Sequence, residues 1–150
     1  MVIKIDKESL FKSITIADSI ISSKNINTIL ANCLFNVSKN SIELISTDNE
    51  IAIRTRVDAQ ADKQLTFAAN GKKFSSILKE LPNDELSINV NDSLSINITS
   101  KSKDVKGHYT LIGLAADDFP EIPHFVEDNS IEIDQGMLKE MIRKVIYAAL

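Results

Sequence analysis

Along this chain short runs of alternating apolar and polar residues give way to helical spacing three times, at a fixed interval. In "IKIDKESLFKSI", Ile3 and Ile5 alternate with polar neighbours, Asp6 is suited to N-capping, and Leu10, Ile14 and Ala17 then recur at helix period. "IEIDQGMLKEMI" repeats the arrangement: Ile131, Ile133, Asp134, Leu138 and Ile142 each stand 128 positions on. Halfway between, in "LTFAANGKKFSSILKELP", Asn70 takes the capping place and Phe74, Leu78 and Leu81 the apolar helix positions. Asp6, Asn70 and Asp134 are thus spaced by 64 and 64. Self-similarity at a fixed period is a fold-level signal.

The segments after the first two helices are also alike. After the first come "ANCLFNV", "SIELIST" and "EIAIRTRV", separated by Lys39-Asn40 and by Thr47-Asp48-Asn49. After the second come "ELSINV", "SLSINITS" and "GHYTLIGL", separated by Asn91-Asp92 and by the longer "KSKDVK". Short turn-forming connections predict antiparallel meanders. The expectation is an α+β domain over 1–123, built of two pseudo-symmetric βαβββ halves, about 1–63 and 64–123, with two helices packed on antiparallel sheets. Residues 124–150 read as a linker and the opening of a third unit. There Met137, Leu138, Met141, Ile142, Val145 and Ile146 predict an amphipathic helix over 135–150 whose covering strands are not in this sequence. Such a tail is expected to be disordered or to bury its stripe against another copy.

Composition narrows the function. The hydrophobic fraction of 43% and charged fraction of 25% are those of a globular domain, and "MVIKID" carries no signal-peptide pattern. A single cysteine, Cys33, excludes an internal disulfide framework and makes a reducing cytoplasm the expected setting. Its place in the apolar run "CLF" suits a small buried hydrophobe. Net charge of −4 argues against a generic nucleic-acid coat but leaves room for a local basic face. An enzyme reading would recruit Asp48, Glu50, Asp117, Asp118 and Glu121 with His108 or His124. Two isolated histidines make a poor metal set, and these acids fit a hairpin turn and a Pro-punctuated connector. The four glycines form no phosphate loop. No cofactor, metal or catalytic role is expected.

Four stretches carry a family resemblance: "IKIDKESLFKSI", "ISTDNEIAI" (Ile45–Ile53), "NGKKFSSILKELPNDELSI" (Asn70–Ile88) and "YTLIGLAADDFPEIP" (Tyr109–Pro123). Together they resemble the bacterial DNA polymerase III β subunit, the sliding clamp. The resemblance implies the DNA-clamp fold, three similar domains per subunit, and two subunits closing head to tail around duplex DNA as a homodimeric ring. It implies a non-catalytic processivity factor that tethers the polymerase, with DNA polymerase III and the clamp loader as partners docking in later domains. This chain would be the first domain and the start of the second. Lys24, Lys72 and Lys73 match basic positions that the family turns toward DNA. A cation in the first turn of a helix opposes the macrodipole, so Lys72 and Lys73 fit a binding role better than local helix stability. Lys7, Lys12 and Lys79, and the loop lysines Lys101, Lys103 and Lys106, also fit either solvent or phosphate. Phe74, Ile77, His108 and Tyr109 match the family's dimer edge; Phe74 and Ile77 equally fit a plain core role. A protein-interaction scaffold of the same fold, without DNA, is the alternative.

Overall fold

A computed structural model describes residues 1–21, 28–102, 107–117, 119–122 and 131–149. The order is β1 (Val2–Asp6), α1 (Lys7–Asp18), β2 (Cys33–Val37), β3 (Ser41–Thr47), β4 (Ala52–Ala61), β5 (Leu65–Ala69), α2 (Gly71–Glu80), β6 (Glu85–Val90), β7 (Ser95–Ser100), β8 (His108–Ile112) and α3 (Gln135–Val145). Up to β8 this is βαβββ twice over.

Each helix starts where the repeat places its cap. Asp6 accepts the N–H of Ser9 at 2.8 Å, Asn70 that of Lys73 at 2.9 Å, and Asp134 that of Met137 at 2.8 Å. Each cap satisfies one of the N–H groups that a helix start leaves without an intrahelical partner. At the other end of α1 the buried Ser46 hydroxyl donates to the Ala17 carbonyl at 2.5 Å. Leu81 turns extended before Pro82, which ends α2.

The strands form one eight-stranded antiparallel sheet in the order β5-β2-β3-β4-β1-β6-β7-β8. The two meanders are therefore continuous, joined through β1. Ile3 faces Ala61 of β4 on one side and Ile88 of β6 on the other. Beyond β8, Leu114 exchanges both backbone hydrogen bonds with Ala68 of β5, at 2.9 and 2.8 Å. Since β5 and β8 are the two ends of the sheet, that single bridge means the sheet curls until its ends nearly meet.

Inside lies the principal core. Ile3, Ile5, Phe35, Leu44, Phe67, Leu86, Ile88, Ile96 and Ile98 from the strands meet Leu10 and Ile14 of α1 and Phe74 and Leu78 of α2. Phe35 stacks on Phe67 at 5.0 Å between ring centroids and on Phe74 at 5.3 Å. Full burial of such side chains contributes about 1.5–3 kcal/mol each relative to exposure. A smaller cluster sits under the connector that follows β8, where Phe119 is 9% exposed among Ile29, Leu30, Ile45 and Ala68. The connector is thus pinned as well as Pro-punctuated.

The tail spacing is met by a helix, Gln135–Val145, continued by the 3-10 turn Ile146–Ala148; none of its described residues is buried within this chain, and Met141 is 54% exposed. Its cap and the Glu140–Lys144 pair at 2.8 Å support the helix locally.

Candidate nucleic-acid interface and sheet edge

Gly71, the first residue of α2, is buried at a close approach. A Cβ built there would lie 2.7 Å from Cys33 Sγ and 3.2 Å from Asp18 Oδ1. The missing side chain lets the start of α2 reach both the first residue of β2 and the last residue of α1. Asn70 secures the same junction from the other side, donating its side-chain N–H to the Ala31 carbonyl at 3.2 Å while its oxygen caps the helix.

Lys72 and Lys73 follow in the first turn of α2, both exposed. Asp18, half-buried, stands opposite. Burial raises its carboxyl above the usual range, while Lys72 and then Lys79 pull it back toward the charged form. Burial, with the nearby Asp18 carboxylate adding to it, pushes the Cys33 thiol up to about 12. Cys33 is therefore protonated at neutral pH and serves as a packed core atom.

The other lysines sort by surroundings. Lys7 is buried, with its ammonium donating to Asn83 Oδ1 at 2.7 Å and lying 5.5 Å from the Phe11 ring centroid, so it is tied to the fold and withdrawn from phosphate. Lys12 pairs with Glu8 at 2.6 Å, and Lys101 with Glu85. Lys79 is exposed near Asp18. Lys24, Lys103 and Lys106 lie outside the described residues.

The expected dimer edge is only partly a surface. Phe74 is 1% exposed and stacked on Phe35, which makes it a core side chain; an interface contact through its ring would require the core to open. Ile77, three residues on, is half-buried and lines an open groove with Asn70, Lys72, Lys73, Ser76 and Leu111. On β8 the residues alternate: His108, Thr110 and Ile112 are exposed, while Tyr109 and Leu111 are half-buried against the core. A Cβ at Gly107 would lie 2.8 Å from the Tyr109 ring and 2.9 Å from Leu81, so that ring lies over the glycine rather than projecting freely. Among the described residues β8 pairs with β7 alone, leaving its outer edge open. Two residues here were not singled out in sequence: Leu111, which shares the Tyr109 face two positions on, and Ile112, 79% exposed on the His108 face. Period-two alternation places Leu111 with Tyr109 and Ile112 with His108.

Of the acids of the enzyme reading, Asp48 has a structural use. Asp48 accepts the N–H of Ile51 at 2.8 Å and of Glu50 at 3.0 Å, which lowers its carboxyl below the usual range and fixes the β3–β4 turn with Asn49 at φ 79°. Among the described residues no group of three or more His, Cys, Asp or Glu could hold a metal ion, and no helix is long and apolar enough to cross a membrane. Asp118 and His124 lie outside the described residues.

Two helices within a curled, nearly closed antiparallel sheet, repeated by halves, define an α+β domain of one architecture. The family model described as "DNA polymerase III beta subunit, N-terminal domain" matches residues 1–123, and the chain belongs to that family. A putative DNA polymerase III beta subunit from Eubacterium rectale superposes with a TM-score of 0.87 at 31% identity, over 98% of this chain and 39% of that one. The Beta sliding clamp of Halalkalibacterium halodurans is 26% identical over 96% of this chain and 39% of its own length. A Helicobacter pylori beta clamp, solved bound to a DNA ligase peptide, superposes with a TM-score of 0.82 at 25% identity, over 97% of this chain and 39% of that one. The chain thus spans about two-fifths of the length of the curated relatives it matches.

Proposed function

We infer that this chain acts as the first domain of a DNA sliding clamp, a non-catalytic subunit that closes with further domains and a second copy into a ring around duplex DNA. The family match over residues 1–123 carries the reading. The clamp tethers a replicative polymerase in the cytoplasm and is loaded by a separate machine; partner peptides dock in later domains. Lys72 and Lys73, exposed on α2, supply phosphate contacts that hold the duplex without reading its bases, together with Lys24. The open edge of β8, with His108 and Tyr109, and the adjoining Ile77 and Leu111 groove form the surface that meets the partner subunit. Phe74 supports that surface from the core behind it.

The test uses the full-length protein. Reversing Lys24, Lys72 and Lys73 to Glu should weaken retention on duplexes of unrelated sequence by similar factors, and flatten the dependence of log K on log salt by about 0.9 per lost phosphate contact. Unchanged retention rejects the assignment and favours a scaffold that does not hold DNA. Tyr109→Ala should raise the dimer dissociation constant in sedimentation roughly thirtyfold, which corresponds to the loss of a buried aromatic anchor worth about 2 kcal/mol.

A further inference from the structure

Among the chain's asparagines only Asn70 precedes a glycine. Asparagine is a thermolabile residue, and most so there, because a following residue without a side chain lets its backbone nitrogen reach the asparagine's own side-chain carbonyl. In water such a pair closes on itself. The Gly71 nitrogen bonds to Asn70 Cγ and gives up its proton, which solvent carries to the departing Nδ2; the Cγ–Nδ2 bond breaks, ammonia leaves, and a five-membered cyclic imide remains. Water then opens the ring at one carbonyl or the other, leaving aspartate or isoaspartate.

Three observations hold that reaction back in the folded chain. At φ −65° and ψ 109° the Asn70 backbone carries the Gly71 nitrogen well away from Cβ, so ring closure needs a large rotation about ψ. Gly71 cannot follow it. That residue is buried where even a Cβ would stand 2.7 Å from Cys33 Sγ and 3.2 Å from Asp18 Oδ1, and the rotation would swing α2 off α1. The amide is also held at both ends, Oδ1 by the Lys73 N–H at 2.9 Å and Nδ2 on the Ala31 carbonyl at 3.2 Å.

We propose that Asn70-Gly71 is a deamidation site that the α1–α2 junction keeps closed, so that each opening of the junction exposes the cap to an irreversible change by water. The products do not restore the junction. Aspartate still accepts from Lys73 but has no N–H for Ala31, and isoaspartate adds a carbon to the main chain at the cap, which shifts α2 against the tight seat of Gly71. Either product also places a new negative charge beside Lys72 and Lys73.

The experiment holds the full-length protein folded, and in parallel unfolded in guanidinium chloride, at one mildly alkaline pH, and follows each asparagine by peptide mass spectrometry. Unfolded, Asn70 should be the first lost, ahead of Asn83 and Asn91, which precede aspartates. Folded, its loss should be slower by at least about tenfold, the factor given by an opening free energy of about 1.4 kcal/mol. Protein aged unfolded and then refolded should melt below fresh protein, whereas Asn70→Ser, which keeps a cap and has no side-chain amide, should melt alike before and after the same ageing. If Asn70 outlasts Asn83 and Asn91 in denaturant, the dipeptide is not the weak point. If folded and unfolded rates agree, the junction does not guard it; if aged protein with Asn70 converted melts like fresh, the change is silent. Any of these three results overturns the proposal.

Discussion

The two halves of the domain follow one plan but hold their first strands differently. β1 is central: three of its residues register with β4 and five with β6. β5, its counterpart 64 positions on, registers five residues with β2, but on its other side keeps only the single bridge from Ala68 to Leu114. The partner strands differ to match, since β4 runs ten residues and β8 five. One side of the pseudo-symmetric sheet is therefore a full ladder, and the other a seam. Duplicated sequence carries the plan; the length of the last strand in each half decides how far the plan is completed.

The core tests this equivalence most strongly. Leu10, Phe74 and Leu138 hold one position in three copies, at 0%, 1% and 40% exposure. Phe74→Ala should cost about 3–5 kcal/mol and Leu10→Ala about 2–5 kcal/mol in chemical denaturation. Leu138→Ala should stay within about 0.5 kcal/mol in this chain. Equal costs at all three positions would mean that α3 is covered in solution.

The seam comes next. Gly113 is buried beside it, and a Cβ there would stand 3.1 Å from the Leu94 carbonyl and 3.2 Å from that of Ala68. Both are backbone atoms and give way poorly, so Gly113→Ala should destabilise by about 1–3 kcal/mol. Hydrogen exchange should quicken at the Ala68 and Leu114 amides while β1 keeps its protection. Equal loosening of β1 would show that seam and ladder open as one unit.

The smallest effects separate the caps. Asn70 both caps α2 and donates to Ala31, and an aspartate cannot donate; Asn70→Asp should cost about 1–2 kcal/mol. Asp6→Asn keeps an equivalent cap and should change stability by less than about 0.5 kcal/mol near neutral pH. Hydrogen bonds from Ser9, through its side chain and then its N–H, lower the Asp6 carboxyl below the usual value. Its share of stability is thus full above the unfolded pKa and is lost as pH falls from there through the lowered folded value. Asp6→Asn should remove that part of the acid sensitivity, and an unaltered acid limb in urea titrations would place the sensitivity elsewhere.

Much of the fold was legible because its signals are local. Caps sit at fixed offsets, and the runs "SIELIST" and "ELSINV" coincide with β3 and β6 residue for residue. The continuity of the sheet through β1 was not legible, since nothing in "VIKID" names β6 as a neighbour. The site was read less well for the same reason. Lys7 looked like any surface lysine until Asn83, 76 positions on, supplied its partner. Phe74 showed an apolar helix position, which fits core and interface alike until the Phe35 ring is found against it. The cluster under Phe119 joins segments far apart in sequence, and no periodicity links them.

The central place of β1 also bears on how the chain acquires its structure during synthesis. β1 leaves the ribosome before the strands it pairs with: its partners in β6 begin at Glu85, and the strand in between that it joins, β4, ends at Ala61. At about 5–20 residues per second the β6 edge of β1 waits roughly 4–17 s for its partner. Until then Ile3 and Ile5 stay without half their cover, and the contacts that finish β1 span 79 to 87 positions, the kind of long-range pairing that slows folding. The strand that precedes its partners is thus completed late, and a nascent chain stalled before β6 would present an unpaired strand edge for aggregation or for chaperone capture.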